Sequence, residues 1–417
     1  MTFRPYQIAG SDFLASKRYA LLADDPGLGK TAQSVRACDA IGARTVAVVC
    51  PASVVLNWRR EFRRFSTTGV VPYVVSYEKM HTLPELGHYE KFDAVIVDES
   101  HYAKSPEAKR SKKLLGADGL IHKAKRMWFL SGTPMPNHPA ELWPMLYATG
   151  TIRETLSSFE TKFCEISTRP FKTPNGRKIM LKRYEGAKNI DGLREVLRPF
   201  MLRRRKEDVL ADLPDLTVDD LPLDLDIDRG LSAFGEEYAA LRDALKDGVG
   251  GLRRIADSVA ALRRYLGVAK AAAVKPLIED MAQAEKVIVL AYHADAIKEM
   301  EFGLAFKSAK ITGDTPQANR QAEVDRFQND EECRVFFGQL RAAGVGITLT
   351  AATRVLLVEP SWVPAENEQA IMRAHRFGQK NAVLAQYTFV PNSLDEAIMR
   401  VVRRKTDTVH RVLNVET

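Results

Sequence analysis

The string Asp24-Asp25-Pro26-Gly27-Leu28-Gly29-Lys30-Thr31 has the composition of a phosphate-binding loop. Gly27 and Gly29 free the backbone to turn its N–H groups onto phosphate oxygens, and a following helix adds the positive end of its dipole. Lys30 can then neutralise the β- and γ-phosphates of a nucleoside triphosphate, and the Thr31 hydroxyl can ligate Mg²⁺. The strict pattern asks for glycine at position 24, where Asp24 stands. Downstream, Val95-Ile96-Val97 runs into Asp98-Glu99, two acids at the end of an apolar strand, where α/β sheets bind ligands. Asp98 suits holding Mg²⁺ through water, and Glu99 suits orienting and deprotonating an attacking water. Far beyond, Arg373 and Arg376 lie three apart, so on a helix they share one face. Guanidinium groups there suit the charge that develops on a transferred phosphoryl group. Ser131-Gly132-Thr133-Pro134 follows another apolar run; alone it reads as a turn. Its hydroxyls are placed to touch both the acids and the second half of the chain.

These groups need elements to hold them at sheet edges. Apolar runs of strand length occur at 19–22, 44–50, 94–97 and 126–130, with helical segments at 30–41 and 54–65 between them. The rhythm returns at 286–291, 333–337, 353–358 and 382–390, so two α/β lobes are expected. The stretches 141–200 and 231–266 read as mostly helical, and the acidic, proline-containing 211–228 reads as an extended connector. No solenoid-period repeat or low-complexity tail stands out.

Composition sets the outer bounds. At 417 residues, two or three domains are expected. No apolar run approaches the roughly 20 residues of a membrane span, and the N-terminus lacks a signal-peptide pattern. Cys38, Cys50, Cys164 and Cys333 are scattered, which reads as free thiols in a reducing compartment. The net charge of +8 and clusters such as Arg203-Arg204-Arg205-Lys206 favour a polyphosphate partner.

In order and over nearly the whole chain, these motifs resemble the Swi/Snf-related group of superfamily-two helicase-like DNA translocases. The phosphate loop from Asp24 to Thr31 resembles that group's version, in which Asp at the first position is usual; Asp25 belongs to it. Arg4-Pro5-Tyr6-Gln7 resembles its adenine-recognition motif, which implicates Arg4 and Gln7. Pro51-Ala52-Ser53, Ser76-Tyr77, Gly344 to Thr348 and Ser361-Trp362 resemble its strand-tracking and coupling motifs. The resemblance therefore implies DNA contacts at Ser53, Ser76, Tyr77, Thr348 and Trp362, and nucleotide contacts at Gly346 and Gln369. Asp98-Glu99-Ser100-His101 is similar to its acid box, with His101, Ser131 and Thr133 as coupling residues. Arg373-Ala374-His375-Arg376-Phe377-Gly378-Gln379 is the most specific string, and Glu359 stands where many relatives carry Asp. The annealing-helicase branch looks nearest.

The resemblance implies two RecA-like parallel-sheet lobes with helical insertions. The expected divisions are a first ATP-binding lobe over 1–145 and its helical insertion over 146–205. A connector and second insertion follow over 206–272, then a second lobe carrying the arginine fingers over 273–417. ATP and Mg²⁺ are the expected cofactors, and double-stranded or forked DNA, held without sequence reading, the expected partner. A bacterial, phage-infected or other intracellular setting with DNA is expected. A strand-separating DNA or RNA helicase is the near alternative. A non-catalytic scaffold is disfavoured because Lys30, Asp98, Glu99, Arg373 and Arg376 are all present, and a P-loop kinase or switch GTPase is disfavoured by the second lobe.

Overall fold

The computed structural model describes residues 3–83, 91–172, 178–210, 212–225, 256–343, 347–391 and 393–413. The chain divides into two compact units, one formed by Met1–Ala211 with Lys405–Thr417 and the other by Asp212–Arg404.

The first unit is built on β1 (Tyr19–Leu22), β2 (Val46–Cys50), β3 (Tyr73–Ser76), β4 (Ala94–Asp98), β5 (Met127–Leu130) and β8 (Met201–Leu202). They form one sheet in the order β3-β2-β4-β5-β1-β8, with every pair parallel. Burial on both faces explains the unbroken apolar runs: β2 and β5 are buried at every position. The order has a direct consequence for the site. Because β4, β5 and β1 are neighbours, the acids after β4, the Ser131 turn after β5 and the phosphate loop after β1 leave the sheet at one edge. The registers Asp98↔Leu130 and Leu22↔Leu130 put those exits level with one another.

The stretch 146–205 is less helical than its sequence reads. Helices Leu156–Phe163 and Ile190–Leu197 flank an antiparallel ribbon of β6 (Cys164–Lys172) and β7 (Lys178–Ala187). The ribbon is anchored at its base. Glu160 is buried and accepts from the Tyr184 hydroxyl at 2.5 Å and from Lys182, and Tyr184 stacks on His138 with ring centres 3.6 Å apart.

The second unit carries β9 (Leu216–Pro222), β10 (Val287–Ala291), β11 (Lys307–Ile311), β12 (Cys333–Gln339), β13 (Arg354–Leu357) and β14 (Val383–Phe389). Their order is β11-β12-β10-β13-β14-β9, again all parallel. The stretch expected to be a connector thus supplies an edge strand, β9, aligned with β14 from Leu216↔Val383 to Pro222↔Phe389. Helix Ala256–Ala284 packs Ala271, Val274, Ile278 and Ala282 against β10. The preceding part of the expected second insertion, 226–255, lies outside the described residues. All four cysteines are buried and free.

Candidate nucleotide site and its partner segments

The phosphate loop has the backbone its sequence asks for. Gly27 and Gly29 sit at φ 95° and 79°, in the region L side chains avoid, and Gly29 caps the helix Lys30–Ala40. A Cβ on Gly29 would lie 2.6 Å from Gln7 Nε2, so the loop also needs glycine for space. Gln7 accepts from the Arg4 backbone N–H at 3.0 Å and donates to the Leu28 carbonyl at 3.4 Å, joining Arg4 and Gln7 to the loop. The Lys30 ammonium donates to the Asp24 and Asp25 carbonyls at 2.5 and 3.3 Å. Burial holds its pKa below the usual lysine value, against the opposing pull of Glu99, Asp24, Asp25 and Asp98.

Asp24, where glycine was expected on the general rule, has a structural task. Its fully buried carboxylate accepts from Arg204 Nε at 2.9 Å, Arg204 Nη2 at 2.6 Å and Gln33 Nε2 at 3.0 Å. Arg204 also reaches the Tyr6 carbonyl. Asp25 is tied the same way, to Arg203 Nη2 at 3.1 Å and the Lys206 N–H at 3.1 Å. Its carboxylate is therefore bonded to the chain just after β8. Arg203 further donates to the carbonyls of Ala23 and Gly132. A Cβ on Gly132 would come within 2.8 Å of Pro26, so the turn after β5 and the phosphate loop touch.

The acid box is fixed from beneath. Asp98 Oδ2 accepts from Trp58 Nε1 at 2.8 Å, and Oδ1 from the Glu99 N–H at 3.0 Å. Burial, then the Glu99 charge, push the Asp98 carboxyl up to about 7. Glu99 takes a left-handed backbone, φ 49° and ψ 53°, which is strained for a residue with a Cβ. The Tyr77 hydroxyl holds that bend, 2.8 Å from the Asp98 carbonyl and 3.1 Å from that of Glu99. Tyr77 is buried and stacks on Tyr102, with ring centres 5.4 Å apart. Its ring and hydroxyl thus support the acid box. Ser76 is likewise buried at the end of β3, and Ser53 is half-buried.

His101, Ser131 and Thr133 come together as a chain. His101 Nδ1 lies 3.3 Å from Glu99 Oε2 and 3.0 Å from Ser131 Oγ, and the Thr133 N–H donates to Ser131 Oγ at 3.1 Å. Glu99 is thus linked to the turn after β5 through two side chains.

In the second unit the arginine string departs from its expected form. The helix is Pro364–Ile371 and ends at Met372, so Arg373 and Arg376 lie on successive turns beyond it, not on one helical face. What aligns them is the neighbouring loop. The Leu349 N–H donates to the Arg373 carbonyl at 2.9 Å, and Arg376 Nη1 donates to the Ile347 carbonyl at 3.1 Å. Gln379, buried, donates to the carbonyls of Thr350, Ala352 and Ala374. His375 Nε2 lies 2.7 Å from the Pro214 carbonyl, just before β9. Burial lowers the Arg376 pKa. Thr348 and Trp362 are half-buried and Gln369 is buried, while Gly346 lies outside the described residues.

Trp58, Gln33, Arg203 and Arg204 are the site residues that sequence reasoning missed as site residues. The sequence shows the arginines only as part of the basic cluster Arg203-Arg204-Arg205-Lys206; the sheet order is what brings them beside the phosphate loop.

The SNF2-related domain matches residues 6–83 and 70–228, and the helicase conserved C-terminal domain matches residues 269–378. The chain is 30% identical to the DNA annealing helicase and endonuclease ZRANB3 of Bos taurus, over 98% of this chain and 40% of that protein. It is 31% identical to the SWI/SNF-related matrix-associated actin-dependent regulator of chromatin subfamily A-like protein 1 homolog of Caenorhabditis elegans, over 98% of this chain and 61% of that one. It thus spans two fifths to three fifths of these relatives. Among solved structures, the Sulfolobus solfataricus SWI2/SNF2 ATPase core in complex with dsDNA is similar at a TM-score of 0.43 and 21% identity, covering 100% of this chain and 98% of that one.

Proposed function

The chain belongs to the SNF2-related family of helicase-like ATPases, and on that premise we propose that it is an ATP-dependent translocase on double-stranded DNA. It couples cleavage of the β–γ phosphoanhydride to lobe closure and to stepping along one strand. The observation that carries this reading is the single sheet edge holding Lys30, the Asp98-Glu99 pair and the Glu99–His101–Ser131 chain.

The residues present fit ATP and Mg²⁺. Two left-handed glycines shape the loop for phosphate, Lys30 is a buried cation beside it, and Asp98 is a carboxyl whose raised pKa a divalent ion would bring down. Thr31 and Asp98 would hold the metal, which when bound shields phosphate charge. Gln7 orients the base end, and Glu99 positions water and takes its proton. Its strained backbone, held by Tyr77, keeps the carboxylate aimed. His101 and Ser131 carry the change at Glu99 outward. Arg373 and Arg376 act as fingers on the transferred phosphoryl group when the lobes close. Ser53, Thr348 and Trp362 are assigned to the DNA backbone.

One feature favours a second reading, strand separation. The β6–β7 ribbon region, 164–187, carries six Lys or Arg against two Glu. Among the described residues, no helix is long and apolar enough to cross a membrane.

The test is steady-state ATP hydrolysis at fixed low salt with no polymer, duplex DNA, single-stranded DNA, forked DNA and duplex RNA. Stimulation by duplex DNA, increased on forks, is expected. Stimulation only by single strands or RNA moves the assignment to a helicase. No turnover with any polymer, despite ATP binding, moves it to a scaffold.

A further inference from the structure

On the first unit, away from the phosphate loop, β3 is the edge strand of its sheet. Beside it opens a groove of about 640 Å³ between that edge and the helix Val55–Phe65. Its walls are apolar: Phe62 is buried at the floor, Val71 and Tyr73 are 83% and 46% exposed, and Leu83 closes one end. Along an extended chain, positions 71, 73 and 75 share a face, so Val71 and Tyr73 form one apolar row with Val75. The opposite rim is cationic. The helix carries Arg59, Arg60, Arg63 and Arg64 against a single acid, Glu61, and Arg59 and Arg63 line the groove with no ion pair among the described residues. The end of the groove is held in shape. Asp39 accepts from Ser66 Oγ at 2.8 Å, the Thr67 N–H at 2.6 Å and Thr68 Oγ1 at 2.7 Å, fixing the turn between helix and strand.

A strand at the edge of the described sheet, an apolar row and a cationic rim together specify an occupant. We propose that this groove docks an extended segment of a partner protein in which acidic residues alternate with apolar ones, added to the sheet alongside β3. The edge supplies main-chain hydrogen bonds, the apolar row takes alternate side chains, and Arg59 and Arg63 take the acids. β3 spans about 13 Å at the usual rise per residue, enough for four residues of such a segment. A nucleic acid would satisfy the arginines but bring no aliphatic side chains for Val71 and Leu83. A second copy of β3 would set one cationic rim beside another, which like-charge repulsion opposes. The inference is independent of whether the protein translocates on DNA.

The test selects short random linear peptides on the full chain and measures the recovered peptides by fluorescence anisotropy. The comparison proteins are the double variant Arg59→Glu, Arg63→Glu and the single variant Val71→Asp, all exposed positions outside the nucleotide site. The expected peptides alternate acidic and apolar residues. They weaken as salt rises, lose at least about tenfold in affinity on each variant, and slow hydrogen exchange at Tyr73–Ser76, while basal ATP hydrolysis is unchanged. Failure to recover any peptide, equal binding to wild type and variants, or unchanged exchange in β3 overturns the proposal. Loss of duplex DNA binding in the variants also overturns it, and makes the rim a nucleic-acid contact.

Discussion

Replacing Trp58 with Phe removes one hydrogen-bond donor from the acid box while keeping an aromatic ring in a buried place. The indole N–H reaches Asp98 Oδ2 at 2.8 Å, and the only other hydrogen bond described to that carboxylate comes from the Glu99 N–H. A hydrogen bond to a charged group contributes about 1.5–3 kcal/mol. At about 1.4 kcal/mol per pKa unit, its loss raises the Asp98 pKa by about one to two units. That carboxyl already stands at about 7, because it is buried and faces Glu99. A carboxyl must be ionised to hold a cation, so protons compete with Mg²⁺ at this site. The sign follows. The Mg²⁺ concentration that half-saturates turnover rises as pH falls, in both proteins. Near neutral pH it is roughly 5- to 50-fold higher in Trp58→Phe, and the gap closes as pH rises above both values. The assay is a Mg²⁺ titration of DNA-stimulated ATP hydrolysis at several pH values, with thermal melting to establish that the variant is folded. A folded variant with the wild-type Mg²⁺ requirement at every pH refutes the assignment of Trp58 as the residue that keeps Asp98 ionised.

Glu99→Gln keeps the shape of the acid box and removes the base, so ATP affinity is retained while turnover is lost; wild-type turnover sinks the role. Arg376→Ala lowers turnover by roughly 10³-fold or more if the guanidinium acts as a finger, with ATP affinity nearly intact. A large loss of affinity with normal turnover would instead assign it to binding. Arg204→Ala leaves the buried Asp24 carboxylate without its bidentate partner, a change that costs about 3–5 kcal/mol. The melting temperature should fall, and the added change Asp24→Ala should recover part of the loss; additive losses would show that the pair is not coupled.

The central strands were legible because burial on both faces leaves an unbroken apolar run, as in Val46–Cys50 and Met127–Leu130. The strands that went unread sit at or near sheet edges. Lys307–Ile311 carries two lysines and a serine in five residues, so no apolar run marks it as a strand. Leu216–Pro222 carries two adjacent acids and a proline, a composition that reads as a connector and is tolerated where few ladder bonds are required. The β6–β7 ribbon was hidden because its sequence is rich in charge and holds no long apolar run. The nucleotide site was legible where its chemistry is local in sequence, in the phosphate loop and the acid box. Its supports were not, because they come from far along the chain. Arg204 meets Asp24 across 180 residues, and Trp58 meets Asp98 across 40. Tyr77, local in sequence to neither acid, is a further support: its hydroxyl reaches the carbonyls of Asp98 and Glu99.

Movement along duplex DNA driven by ATP is the activity proposed for this protein. The direct measurement is displacement of a third strand from a duplex that carries a triplex downstream of the loading region, with ATP present and Lys30→Ala as the blank. Displacement by the wild-type protein, absent in Lys30→Ala and without ATP, is the result predicted. ATP hydrolysis stimulated by duplex DNA with the third strand left in place would contradict it.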